Sequence, residues 1–104
     1  MNNSIYCERH WYEKVSSIYL SRKRWNELKD LAIKQNFKCV YTGTNLVPVI
    51  NMSLDHIKPI SKFPDLKNEI SNLQWVTKDI NTAKNNLSHD DFIKLCKEVS
   101  KNYE

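Results

Sequence analysis

The chain has 104 residues, of which 40% are hydrophobic and 27% charged, with a formal net charge of +4. This composition fits one globular domain over residues 1–104 and is too apolar for an obligately disordered chain. No apolar run is long enough to span a membrane, and no secretory signal opens the chain, so we expect a cytoplasmic protein. A single glycine excludes the Gly-rich loops that bind phosphates.

The cysteines and the charges narrow the class of protein further. Cys7, Cys39 and Cys96 are odd in number and form no CxxC pair, so we expect apolar packing residues and no disulfide framework. Residues 1–36 carry a net charge of +3, residues 37–87 +2 and residues 88–104 −1. The basic surplus favours a polyanionic partner only weakly, because +4 is also ordinary for a soluble protein.

Two helices are predicted in the first third of the chain. Trp11, Val15, Ile18 and Tyr19 recur at helical spacing over residues 8–20. Ser21 is a candidate N-cap for a second helix over residues 22–36. Its predicted first turn holds three cations that oppose the helix dipole: Arg22, Lys23 and Arg24. Cations at this end of a helix lower its stability, and a bound phosphate could offset that loss. Arg22 and Arg24 are therefore candidate nucleic-acid contacts; the alternative is a solvated basic turn.

Short strands and turns are predicted to follow. Residues 37–41 favour a strand, residues 42–45 a turn, and residues 46–50 an edge strand or loop because of Pro48. Residues 52–57 and 73–77 favour two further strands, which are separated by a loop. Residues 78–86 favour a short helix, and Ser88 is the predicted N-cap of a last helix. That helix places four apolar residues on one face: Phe92, Leu95, Cys96 and Val99.

Three segments carry residues suited to phosphodiester hydrolysis: LDHIKP at 54–59, ISNLQWV at 70–76 and DINTAK at 79–84. The reaction needs a base for the attacking water and a cation for the developing negative charge. His56 can be a neutral base near pH 7. Asp55 offers a carboxylate and Asn81 an amide oxygen, which are the hard ligands that Mg²⁺ prefers.

The three segments, in this order and spacing, resemble the HNH endonucleases, which are ββα-metal nucleases. The resemblance covers about residues 37–87. It implies that His56 is the general base, that Asp55 binds a divalent metal, and that Asn81 is the metal ligand on the helix. Asn72 matches the middle catalytic position, which braces the loop after the base. The chain would therefore be an H-N-N variant of the family.

The resemblance also implies a cofactor and a partner. Mg²⁺ is the expected metal, with Mn²⁺ as the alternative, and double-stranded DNA is the expected partner, cut to 5′-phosphate and 3′-hydroxyl ends. Lys84, one helical turn after Asn81, is a candidate phosphate contact, as are Lys58 and Lys62 in the loop after the base. One active site cuts one strand, so a double-strand break needs either a homodimer or two successive rounds of binding and cleavage. Relatives of this kind occur in phages and mobile elements.

Two departures from the family pattern bear on these expectations. Many members carry two CxxC pairs around the nuclease motif, whereas only Cys39 is present here, so we expect no structural zinc. The loop after the base lacks the usual glycine pair and reads Lys62-Phe63-Pro64-Asp65 instead. The path of this loop, and any contact of Lys62 with DNA, therefore differ from the family pattern.

The predicted fold class is α+β. A ββα-metal core over residues 37–87 is expected to carry an N-terminal helical segment, residues 1–36, and a C-terminal helix, residues 88–104, packed on it. One alternative is a non-catalytic basic module that binds nucleic acid through a ββα-like fold. Another is a nuclease that acts on RNA or branched DNA. On the duller interpretation, Asp55 and His56 form a surface pair and Asn81 is a solvated helix residue.

Overall fold

The described part of the chain, residues 8–103 of a computed structural model, is an α+β fold, as predicted. Its α-helices are α1 (Glu8–Tyr19), α2 (Trp25–Lys34), α3 (Lys78–Lys84) and α4 (His89–Asn102). Its strands β1 (Met52–His56) and β2 (Leu73–Thr77) pair antiparallel. No helix between residues 8 and 103 combines the length and the apolarity needed to cross a membrane.

The core lies between the two N-terminal helices and β2. Trp75 is fully buried, and its indole Nε1 donates a hydrogen bond to the Leu28 carbonyl oxygen at 2.9 Å. The Trp11 ring stacks on Trp75 with centroids 5.5 Å apart, and Tyr12 meets it edge-on at 6.0 Å. Trp75 is thus an anchor of the core, and it ties α1 and α2 to the sheet.

A strand–strand–helix unit follows the N-terminal helices. The register of the sheet places Asp55 opposite Gln74 and His56 opposite Leu73. Thr77 ends β2 and begins α3 as its N-cap, since its hydroxyl oxygen accepts a hydrogen bond from the Ile80 amide at 3.2 Å. Helix α3 packs against both strands, which brings its residues beside the end of β1.

The start of the second helix differs from the prediction. Residues Arg22–Arg24 form a 3-10 turn, and the Ser21 side chain makes no capping hydrogen bond, so its predicted role as N-cap is wrong. Arg24 donates two hydrogen bonds to the carboxylate of Glu27, at 2.7 and 2.9 Å. An internal carboxylate therefore offsets part of the basic charge here.

The strand predicted over residues 37–41 is wrong. Only one isolated antiparallel bridge forms there, between Lys38 and Asn45. Asn36 and Phe37 have φ values of 56° and 52°, which turn the chain out of the extended conformation that a strand requires. Residues 46–50 take the loop alternative, and Val49 likewise has a positive φ of 73°.

Helix α4 is attached to the rest of the fold through its first turn. Ser88 caps it as predicted, because the Ser88 hydroxyl accepts a hydrogen bond from the Asp91 amide at 3.1 Å. Phe92 is 5% exposed, but Leu95 and Val99 are 46% and 53% exposed. The prediction that the apolar face of this helix packs on the core is therefore wrong beyond Phe92.

The two described cysteines differ in burial. Cys39 is buried, as expected for a packing residue, whereas Cys96 on α4 is exposed, which contradicts the prediction for that residue. Cys7 lies outside the described residues.

Candidate active site

A cleft of about 140 Å³ opens where the end of β1, the loop after it and helix α3 meet. We call it the His56 cleft. Its polar lining consists of Tyr19, Asp55, His56, Ser61, Asn81, Asn85 and Asn86. The structure thus brings together the predicted base and both predicted metal ligands, which are up to 26 positions apart in the chain.

Asn72 fixes the chain immediately after His56. Its side chain accepts a hydrogen bond from the Lys58 amide at 2.9 Å and donates one to the Lys58 carbonyl oxygen at 3.0 Å. The Ile57 amide also donates to the Asn72 carbonyl oxygen at 2.8 Å. Asn72 is only 4% exposed, so its side chain is held in the core. We call its two hydrogen bonds with the Lys58 backbone the Asn72 clamp. These are the contacts that a residue bracing this loop would make, and the catalytic role of Asn72 stays a prediction.

His56 is half-buried at the last position of β1. Burial lowers the pKa of its imidazole below the usual 6.5; Asp55 raises the pKa and Lys84 lowers it further. The imidazole is therefore neutral at pH 7, as a general base must be. The Tyr19 ring lies 5.4 Å from the His56 ring, centroid to centroid. Within residues 8–103 neither ring nitrogen has a hydrogen-bond partner, so the described contacts of the imidazole are packing contacts.

Asn81 lines the cleft, and its side-chain amide is held through its nitrogen. Its Nδ2 donates to the Ser53 hydroxyl at 2.7 Å and, more weakly, to the Leu54 carbonyl oxygen at 3.3 Å. A carbonyl oxygen can only accept, so the second contact fixes which end of the amide is the nitrogen. Among the described residues Asn81 Oδ1 accepts no hydrogen bond, which leaves it for a ligand.

Asp55 is buried, with 3% of its surface exposed, and it is already paired. Lys84 Nζ lies 3.2 Å from both carboxylate oxygens, and Gln74 Nε2 donates to Oδ2 at 2.8 Å. Lys84 is itself 1% exposed. The prediction that Lys84 contacts phosphate is therefore wrong for this conformation, because its ammonium faces Asp55 inside the fold.

The donor set suits a hard divalent ion. Asp55 and Asn81 both line the His56 cleft, and their side chains carry oxygen ligands of the kind that Mg²⁺ selects. Two protein ligands leave coordination positions for water and phosphate. No cluster of three His, Cys, Asp or Glu side chains occurs in residues 8–103, so Asn81 is needed to complete the set. The residues present fit the ion, with Lys84 as its competitor for Asp55.

The remaining predicted nucleic-acid contacts fall into two groups. Lys58 and Lys62 are exposed and line a second cavity, which shares Pro59 with the His56 cleft. Arg22 and Arg24 do not line the cleft, and each lies beside a glutamate, Glu13 and Glu27 respectively. The two lysines therefore adjoin the His56 cleft through Pro59, whereas the two arginines do not line it.

The sequence does not predict two residues of the site, Gln74 and Tyr19. Gln74 holds the Asp55 carboxylate and also donates to the Tyr41 hydroxyl at 3.0 Å; its position opposite Asp55 follows once the strand register is known. Tyr19 closes one side of the His56 cleft. It looks like one more apolar position of α1, and nothing in the sequence sets it apart.

Comparison of the chain with protein-family models, with curated proteins and with solved structures gave no match.

Proposed function

We propose that this chain is a metal-dependent endonuclease of the HNH type, which hydrolyses phosphodiester bonds of DNA. The observation that carries the proposal is the convergence of Asp55, His56 and Asn81 on one cleft. The Asn72 clamp on Lys58 gives it further support, because a positioned base needs a fixed backbone on either side.

In the proposed reaction His56 acts as the general base. Its neutral imidazole accepts a proton from a water molecule, whose oxygen attacks the phosphorus as the bond to the 3′ oxygen breaks. Asp55 and Asn81 would hold the divalent ion, which when bound supplies positive charge to stabilise the phosphate in the transition state. Lys58 and Lys62 bind the neighbouring backbone phosphates, which orients the strand without reading its sequence.

A plasmid nicking assay tests this proposal. Supercoiled plasmid is incubated with the protein and Mg²⁺ or Mn²⁺ between about pH 6 and 9, a range that includes the ordinary pKa of an imidazole. We expect nicked circles, and we expect His56→Ala to lower the nicking rate by at least about a hundredfold, the usual contribution of a general base. His10→Ala is the matched control, since His10 lies on α1 and does not line the cleft.

Two results would refute the proposed function. An intact plasmid at every pH with either metal would exclude catalysis on duplex DNA. A folded His56→Ala protein that nicks at the wild-type rate would show that another group is the base. Parallel digests of RNA and of a branched DNA junction then decide whether the nuclease acts on one of those substrates instead.

One observation favours the second candidate, a non-catalytic module that binds nucleic acid. The Asp55 charge is already balanced by Lys84, whose Nζ lies 3.2 Å from Asp55 Oδ2. On that interpretation the protein retards DNA in a gel without cleaving it, and its DNA affinity is unchanged by a chelator. Retardation that is lost on adding salt would identify phosphate contacts as the source of affinity.

A further inference from the structure

The ammonium of Lys84 makes two hydrogen bonds and one further ion-pair contact inside the fold. An ammonium carries three protons. Lys84 Nζ donates to the His56 carbonyl oxygen at 2.6 Å and to Asp55 Oδ1 at 3.2 Å, and Asp55 Oδ2 also lies 3.2 Å away. Lys84 is the last residue of α3, and Asn85 after it turns the chain with a φ of 48°. The contact therefore ties the end of α3 to the end of β1.

The Lys84 ammonium contacts the carboxylate of Asp55, which is the proposed metal ligand. A divalent ion on Asp55 would place two positive charges beside the one that Lys84 already carries. Repulsion between a divalent ion and an ammonium about 5 Å apart weakens metal binding by at least about tenfold, even in a water-like dielectric. Asp55 is 3% exposed and Lys84 1%, so solvent screens this repulsion poorly.

Without some cation at this place, Asp55 would be a buried charge for which, among the described residues, Gln74 is the one remaining side-chain hydrogen-bond donor. Leaving one member of a buried ion pair unpaired is strongly destabilising. The fold therefore needs one positive partner for Asp55 at all times, whereas two at once repel each other.

We propose that Lys84 and the divalent ion are alternative partners of Asp55. In the metal-free protein Lys84 holds the carboxylate in place, and the incoming ion displaces the ammonium towards the solvent. Lys84 is thus a positioning residue that keeps the site folded and lowers its metal affinity. This inference rests on the proposed function, because it takes Asp55 as a metal ligand.

Amine labelling of the wild-type protein tests the displacement directly. Lysines are acylated at one fixed pH, with and without saturating Mn²⁺, and each lysine is followed by peptide mass spectrometry. We expect Lys84 to be protected without metal and to react at least about tenfold faster with Mn²⁺, because it leaves its buried partner. Lys97, exposed on α4, is the internal control and should react at one rate throughout. An unchanged Lys84 rate with Mn²⁺ overturns the proposal.

A charge-removing variant tests the competition. Lys84→Met keeps the length of the side chain, and we expect it to bind Mn²⁺ at least about tenfold more tightly than wild type in a calorimetric titration. Lys78→Met, an exposed lysine on the same helix, should stay within about twofold of wild type, because screened surface charges contribute little. Equal or weaker Mn²⁺ binding by a Lys84→Met protein that is folded without metal overturns the proposal.

Two further measurements test the proposal if Lys84→Met does not fold in the absence of metal. If Lys84→Met is unfolded without metal, Mn²⁺ should restore its circular dichroism spectrum, and failure to do so contradicts the proposal. The double variant Asp55→Asn, Lys84→Met should lose the gain in Mn²⁺ affinity, since the contested carboxylate is gone. A retained gain would also overturn it.

The labelling and titration experiments test the displacement of Lys84 independently of the nicking assay, which tests the endonuclease activity. Nicking by wild type together with a protected Lys84 in Mn²⁺ refutes the displacement but not the endonuclease. Metal-dependent Lys84 labelling without any nicking refutes the endonuclease but not the displacement.

Discussion

Removing the Asn72 side chain should destabilise the protein markedly. Asn72→Ala deletes the hydrogen bonds to the Lys58 amide, at 2.9 Å, and to the Lys58 carbonyl oxygen, at 3.0 Å. Each such bond contributes about 0.5–1.5 kcal/mol net, and a buried group left unpaired costs more. Since Asn72 is 4% exposed, we expect the free energy of unfolding to fall by about 2–3 kcal/mol.

Urea denaturation monitored by tryptophan fluorescence measures this loss. The slope of the unfolding free energy against urea should not change, so the midpoint should carry the whole effect. Asn26→Ala is the matched control, because Asn26 is an exposed residue of α2 and its loss should change stability by no more than about 0.5 kcal/mol. If Asn72→Ala costs no more than Asn26→Ala, the clamp does not stabilise the fold and our account of Asn72 is wrong.

Two other predictions concern His56 and Ser88. Because the pKa of His56 is lowered in the fold, its contribution to stability is complete above pH 6.5 and is lost as the pH falls through the lowered value. In a chelator, wild type should therefore lose stability between about pH 7 and 5 more steeply than His56→Asn, and parallel urea midpoints would contradict this. Ser88→Ala removes the α4 cap at 3.1 Å and should cost about 1 kcal/mol, seen as faster amide hydrogen exchange in α4; unchanged exchange would contradict it.

The strands and most of the site follow from local sequence pattern. The apolar residues of the two-stranded sheet are buried, and they are Met52, Leu54, Leu73, Trp75 and Val76. The polar residues at the end of β1 and on α3 then meet because α3 follows β2 directly. The predicted cleft therefore needs only the order of three short elements.

The failed predictions depend on interactions across the chain or on backbone angles. A lysine is almost never buried without a partner, and the partner of Lys84 lies 29 residues earlier in the sequence. The predicted strand over residues 37–41 fails because Asn36 and Phe37 adopt positive φ values, which composition does not reveal. The amphipathic pattern of α4 predicts a buried face, but a pattern cannot say whether the fold supplies a surface to cover it.

The central claim is that a carboxylate, an imidazole and a carboxamide serve one divalent ion in the His56 cleft. Anomalous diffraction from crystals soaked in Mn²⁺ tests it most directly, because the manganese signal locates the ion without assuming its ligands. The account predicts one strong peak in the cleft, coordinated by Asp55 and Asn81, with His56 beside it. Crystals that bind Mn²⁺ only elsewhere, or that leave the cleft without a peak at saturating Mn²⁺, would contradict it.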